Sequence, residues 1–195
     1  MSTFQASAFE DSHWLCRYLL QAPPPDKAAG TANAAVLLPL FRHDGEWTLL
    51  MTRRALHLRH HPGQLSFPGG RIESGESSAA AALREAYEET GIDPTTVQLL
   101  GQLPAINTST GFIVEPWLGL LDGLPTLQLQ QDEVDSVLLL PLQEALSARR
   151  RQTEIWPLRG KQQRLHFIPW QQHLIWGASA EILYLLAQQV AAPPR

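Results

Sequence analysis

The stretch from Gly70 to Ile92, GRIESGESSAAAALREAYEETGI, constrains this chain more than any other. A glycine-rich turn, FPGGRIESGE, runs into a block of alanines, which are the best helix formers. Ser77 or Ser74 can cap the helix start, and Glu76 sets a negative charge near its positive end. Gly91 stands where a left-handed C-terminal cap is wanted. Positions i, i+3 and i+4 share a helix face, so Glu85, Glu88 and Glu89 point the same way, and Arg84, four residues before Glu88, can orient it. Three glutamates on a helix are commonly a solvated acidic patch. Against that plainer reading stand the alanines, which imply close packing, the adjacent Arg84, and a glycine turn able to bring backbone carbonyls to the same point. A hard divalent cation takes oxygen ligands from a few carboxylates, and it offsets the repulsion among them.

Charge and composition bound the partners. The formal net charge is -4, which argues against a nucleic-acid binder working by phosphate neutralisation. It leaves room for a phosphate-bearing small molecule, because a metal ion supplies positive charge locally. Cys16 is the single cysteine, so no intrachain disulfide forms; it reads as a buried structural thiol in a reducing compartment. The start MSTFQASAFEDSHW has no targeting pattern, and the apolar runs AAVLLPLF and EILYLLAQQVAA suit no membrane span. The expectation is a cytoplasmic protein without membrane partners. A homodimer is compatible with the sequence, which fixes no oligomeric state.

Element signals alternate between strand and helix. A short amphipathic helix is expected over about Phe9 to Leu20, followed by a linker in APPPDKAAG. AAVLLPLF and WTLLMTRR read as a hairpin turning at DGEW. VQLLGQLP, GFIVEPWLGLL and SVLLLP read as further strands, the last followed by a short helix, and SAEILYLLAQQV as a closing helix. RLHFIPW and HLIWG read as strand and turn; the tryptophan-rich stretch from Glu154 to Gly177 is a candidate border of the substrate pocket, open to core packing or a lid, with core packing the favoured expectation. The fold class is therefore α/β (α+β) with a mixed sheet.

The spacing G-x5-E-x7-R-E-U-x-E-E-x-G-U, with U a bulky aliphatic or similar residue, resembles the Nudix box. It stands here as Gly70, Glu76, Arg84-Glu85-Ala86, Glu88-Glu89, Gly91 and Ile92, with Ala86 a small member of the U class. The resemblance implies an α/β/α sandwich with a mixed β-sheet, residues 29–195 forming one such domain after an N-terminal helix and linker over 1–28. It implies hydrolysis of a nucleoside diphosphate linked to another group, with Mg2+ or Mn2+. By the same resemblance Glu85 and Glu89 are the primary metal ligands, Glu88 belongs to the cluster, and the Gly70 region lends a carbonyl. Arg84 and Glu76 hold loop and helix in register. A carboxylate takes a proton from the attacking water. Glu85 is one candidate for it. Glu133, in QQDEVDSV before a strand, is another, and a plain solvated loop acid is its structural alternative.

The preceding stretch, LMTRRALHLRHHPGQLSFPGG, Leu50 to Gly70, resembles the additional signature of the coenzyme A pyrophosphatase branch. The matching positions are Leu50, Thr52, Arg54, Ala55, Leu58, His61, Gly63 and Phe67 to Gly70; Met51 departs conservatively. That resemblance implies cleavage of coenzyme A or a derivative to 3',5'-ADP and 4'-phosphopantetheine. Arg53, Arg54, Arg59, His60 and His61 are the densest basic cluster in an acidic chain, and arginine reads phosphates with paired donors. Arg53 and Arg59 read as surface charges, whereas Arg54 and His61 stand at signature positions and are the candidate substrate contacts, with Arg54 expected at the 3'-phosphate. Gln64 and Phe67 are further candidates, or else loop packing. The alternatives are another nucleoside diphosphate derivative such as ADP-ribose, or a ligand-sensing domain without activity.

Overall fold

The computed structural model describes Leu15, Tyr18, Leu19 and residues 32–59, 61–158 and 160–191. The expected N-terminal helix and linker, and Cys16 with them, lie outside the described residues, apart from Leu15, Tyr18 and Leu19, which are helical.

The chain builds the strands and helices in the order β1 (Ala34–His43), β2 (Glu46–Arg54), β3 (Leu65–Ser66), β4 (Gly69–Arg71), α1 (Ser78–Thr90), a 3-10 turn (Pro94–Thr96), β5 (Gln98–Gln102), β6 (Ile106–Asn107), β7 (Ile113–Leu120), β8 (Val134–Pro141), α2 (Leu142–Leu146), β9 (Gln152–Leu158), β10 (Lys161–Trp170), β11 (His173–Trp176) and α3 (Ala178–Ala191). The main sheet has the strand order β3-β2-β1-β7-β5, with β4 added to β1, β6 to β7 and β8 to β2. β1 runs parallel to β7, while its pairs with β2 and β4 are antiparallel, so the sheet is mixed. The expected hairpin of β1 and β2 forms with Leu40 opposite Leu49 and His43 opposite Glu46.

β1 is apolar along most of its length because both its faces are covered. On one face Ala35 and Leu37 pack against Ala81, Ala82 and Ala86 of α1. The small side chains bring helix and strand backbones close together. On the other face Leu38, Leu40, Leu49 and Met51 meet Ile182, Leu183 and Leu186 of α3, with Tyr18 in the same cluster. The mixed sheet is thus held between helices, as the sequence leads one to expect.

β9, β10 and β11 form a separate three-stranded antiparallel sheet. Here the structure corrects the expectation that the tryptophan-rich stretch is core. Trp170 packs against the core, but Trp156 and Trp176 are 47% and 41% exposed. The reason is the period of two in a strand. His166 and Ile168 alternate inward and are buried, while Phe167 pairs across the opposite face with Trp176.

His166 lies beneath this sheet, stacked on Tyr184 at 4.2 Å between ring centres, with Nδ1 2.9 Å from Thr153 Oγ1. Its Nε2 is 3.6 Å from Glu181. Burial, then the charges of Arg151 and Arg164, push its pKa below the ordinary 6.5, and Glu181 does not reverse this. A histidine held neutral in the fold must gain a proton on unfolding in acid. Its contribution is therefore present above about pH 6.5 and is lost as pH falls through the depressed value. The thermal midpoint should drop on acidification below that pH, and His166→Gln should flatten the drop. An unchanged acid limb in the variant would show that other groups set it.

Candidate active site

The site starts from the capping of α1. Ser77 accepts the Ala80 N–H at 3.2 Å and so starts the helix. Gly91 ends it at φ 77°, and a side chain there would lie 2.9 Å from the Gln128 backbone nitrogen. That close approach matters for the next loop. Gln128 N–H donates to Thr90 O at 2.8 Å and Gln130 N–H to Glu89 O at 3.0 Å. The end of α1 thereby fastens the segment that carries Glu133, whose carbonyl accepts the Ala55 N–H at 2.8 Å. Glu133 is tied to the helix on one side and to the end of β2 on the other.

Arg84 joins the loop to the helix. Its guanidinium grips Glu76 with two bonds, Nε to Oε1 at 3.0 Å and Nη2 to Oε2 at 3.1 Å. Nη1 donates to Glu85 at 2.9 Å and to Glu88 at 3.1 Å, and Nη2 donates to the Arg71 carbonyl at 3.0 Å. Glu76 completes the loop by accepting the Glu73 N–H at 3.0 Å. Hydrogen bonds from Arg84 and from the Glu73 N–H, with the Arg84 charge behind them, hold Glu76 below the usual carboxylate range. A planar fork suits this arrangement and an ammonium does not.

The three helix glutamates then separate in character. Glu88 is exposed and held by Arg84. Glu85 is largely covered; burial raises its pKa, Arg84 opposes the rise, and the charges of Glu88 and Glu133 add to it. Glu89 is only 6% exposed, and its Oε2 has no hydrogen-bond partner among the described residues. Burial, then the neighbouring charges of Glu133 and Glu85, push its pKa up to about 8, against Arg54 and a Gly69 N–H bond. Glu85, Glu89, Glu133 and Arg54 therefore share one electrostatic environment, although they come from three parts of the chain.

Gly70 is explained by contact. A Cβ at this position would lie 2.4 Å from Glu85 Cδ and 2.5 Å from each of its oxygens. Gly69 is equally closed, since a Cβ there would sit 2.3 Å from the Ala35 carbonyl oxygen. The glycine pair lets β4 lie flat against β1 while the Glu85 carboxylate rests on it.

The candidate substrate residues divide. Arg54 ends β2 beside Glu89, and among the described residues its side chain makes no hydrogen bond or ion pair. Arg53, next to it, lies 3.8 Å from Asp135. Gln64 is half-buried, and its carbonyl accepts the Arg54 N–H at 3.0 Å. His61 is exposed, with its ring 6.4 Å from that of Trp176. Phe67 is a correction: at 3% exposure it belongs to the hydrophobic cluster and has no face left for a ligand. It lies in the short link between β3 and β4 and turns into the core there, which a loop-rich sequence did not reveal. One acid escaped the sequence reading. Glu115 is 2% exposed in β7 and sits in the same cross-strand row as Ala35 and Gly70. A lone acid in the apolar run IVEPWLGL was the available signal.

Could these residues hold a metal? Among the described residues, no three acidic, histidine or cysteine side chains converge as a finished ligand set, and Glu85 is turned toward Arg84 and Gly70. The donor chemistry nonetheless fits a hard divalent cation. Glu85, Glu89 and Glu133 offer only oxygen, repel one another, and include a buried oxygen without a partner.

A mixed sheet between helices, with a glycine turn feeding a glutamate-bearing helix, defines the class as a Nudix-type hydrolase fold. The NUDIX domain family model matches residues 31–170, and the chain belongs to that family. An uncharacterized Nudix hydrolase NudL of Photorhabdus laumondii is 45% identical over 182 residues, covering 92% of this chain and 97% of that protein. Among solved structures, a NUDIX hydrolase from Alicyclobacillus acidocaldarius aligns with a TM-score of 0.51 at 19% identity, covering 84% of this chain and 93% of that one. A C. elegans Ap4A hydrolase binary complex also reaches 0.51, at 23% identity, covering 58% and 83%. These likenesses establish the fold. The family places the chain among hydrolases of nucleoside diphosphate derivatives, which generally use divalent metals such as Mg2+ or Mn2+. Among the described residues no helix is long and apolar enough to cross a membrane.

Gly70→Ala tests the geometry directly. The atoms in the way are the far end of a flexible side chain, so the domain should stay folded, with a midpoint within a few degrees. Displacing Glu85 by an ångström or so should lower kcat by about 100-fold, the usual scale for such misplacement. Near-normal turnover would show that Glu85 needs no such seat.

Proposed function

We propose that the protein hydrolyses the diphosphate bond of coenzyme A or a close derivative, releasing 3',5'-ADP and 4'-phosphopantetheine or its acyl form. The observation that supports this reading is the course of residues 50–70. Those residues match the coenzyme A signature, and they run from the buried centre of β2 to Arg54 beside Glu89, then through Gln64 to the Gly69–Gly70 seat of Glu85. The stretch that distinguishes the branch is thus continuous with the glutamate cluster.

In this reading Glu85 and Glu89 would hold the divalent cation, with the Gly70 carbonyl and Glu88 available at the edge of the same cluster. When bound, Mg2+ or Mn2+ supplies positive charge and Lewis acidity at the phosphate oxygens. Arg54 donates paired hydrogen bonds to the diphosphate and so adds charge where it builds in the transition state. Its place beside Glu89 supports a role at the diphosphate, in place of the 3'-phosphate role expected from sequence. Glu133 takes the proton of the attacking water as the new phosphorus–oxygen bond forms and the bridging bond breaks. Arg84 acts through Glu76 and Glu85, keeping the loop and the ligands in place.

A substrate panel tests the reading: coenzyme A, 3'-dephospho-coenzyme A and ADP-ribose, each with Mg2+ and with Mn2+, products identified by mass. Coenzyme A should be the best substrate. Preferential cleavage of ADP-ribose would retain the diphosphate chemistry and discard the coenzyme A assignment. Absence of any cleavage would favour a ligand-sensing domain.

Two sets of variants test the roles. Glu85→Gln and Glu89→Gln should each abolish turnover while remaining folded, and Glu89→Gln should lose the thermal stabilisation that Mg2+ confers on the wild type. Near-normal rates in either variant would remove that residue from the ligand set. Arg54→Ala should lower kcat/KM for all three substrates alike, by about 10- to 100-fold for a lost charge-assisted contact of roughly 1.5–3 kcal/mol. A loss confined to coenzyme A would return Arg54 to the 3'-phosphate.

A further inference from the structure

The exposed face of the small sheet carries a row of aromatic rings that the reaction scheme leaves unused. Trp176 on β11 is the direct cross-strand partner of Phe167 on β10, and Phe167 lies 6.1 Å from Trp156 on β9. At the other end Trp176 meets the ring of His61 at 6.4 Å and 54°. Two of these tryptophans leave more than two fifths of their surface open, and Leu174 beside them is 48% exposed. Single exposed apolar side chains are ordinary, but a continuous row is not.

The position of the row matters more than its exposure. Gly177, next to Trp176, lies against the Gln64 side chain, so that a Cβ there would sit 3.4 Å from Nε2. The Gln64 backbone accepts the Arg54 N–H, and the Arg54 charge acts on Glu89. Ser179, at the start of α3, donates to the Leu65 carbonyl at 3.1 Å and pins β11 and α3 to this edge of the main sheet. One residue, Gln64, therefore separates the aromatic row from the strand end that faces the glutamates. The row therefore borders the place where a ligand's diphosphate would lie at Arg54 and Glu89.

We propose that Trp176, braced by His61, is the platform on which the nucleobase of the substrate stacks. A nucleobase is a planar π-system with polar edges. It gains from an open aromatic face without needing directed hydrogen bonds. The platform rests on the reading that the site takes a nucleoside diphosphate derivative; it does not require that derivative to be coenzyme A.

Calorimetric titration of the full chain with Mg2+ separates the possibilities, using α,β-methylene-ADP as a non-cleavable nucleotide and inorganic pyrophosphate as the probe without a base. Trp176→Ala should weaken the nucleotide by about tenfold or more, the scale of one lost base stack, while pyrophosphate stays within about twofold. Trp176→Phe, which keeps a ring, should restore most of the loss. Unchanged nucleotide affinity in Trp176→Ala, or equal weakening of both probes, would overturn the platform while leaving the diphosphate site standing. A wild-type dimer that Trp176→Ala converts to monomer, with nucleotide affinity unchanged, would assign the face to a second copy and overturn it too. Failure of the wild type to bind either probe would overturn the functional reading, and the platform with it.

Discussion

Everything at the site depends on the fork of Arg84. One planar cation reaches Glu76 in the loop, Glu85 and Glu88 on the helix, and the carbonyl of Arg71 at the end of β4. Without it, α1 would carry several like charges on adjacent turns, and the loop before it would have no fixed distance from the helix. Salt bridges on open surface contribute little. This one differs because it is bidentate, networked and mostly covered. Its first effect is geometric: it makes a glycine turn and a helix into one rigid piece.

That rigid piece leaves the Glu89 carboxylate buried without enough partners. Burial and the charges of Glu133 and Glu85 oppose its ionisation, and Arg54 and the Gly69 N–H only partly compensate. A fold made only for stability would have filled this position with an apolar side chain, as Ala86 and Ala82 do one and two turns away. The arrangement is sensible when a cation completes it. The close packing of alanines on β1 fits the same purpose, since it brings the helix near enough to the sheet for the Gly69 N–H to bond Glu89 and for Gly70 to seat Glu85.

Much of this was legible in the sequence, for identifiable reasons. Ser77, the alanine block and Gly91 announce a helix and its ends through local chemistry alone, and the structure keeps them. The hairpin of β1 and β2 follows from two apolar runs around Asp44-Gly45. Other features were invisible because they depend on long-range pairing. Nothing local says that β1 would pair in parallel with β7, that Phe67 would turn into the core, or that Trp156 and Trp176 would stay outside it. The helical period put Glu85, Glu88 and Glu89 on one face, yet it could not say that Glu89 is buried and Glu88 open, since burial depends on what lies opposite.

The sequence by itself determined the helix, its caps, the spacing of its charges and the family to which the chain belongs, because those are properties of neighbours within a turn or two. The tertiary structure alone decided the rest of the site. It brought Glu133 and Arg54 beside Glu85 and Glu89, moved Phe67 from candidate contact to core, and laid an aromatic face beside Gln64. The physical reason is that charge, burial and access depend on distances across the fold. Those distances are set by sheet pairing and by one loop tied to the end of α1, not by separation along the chain.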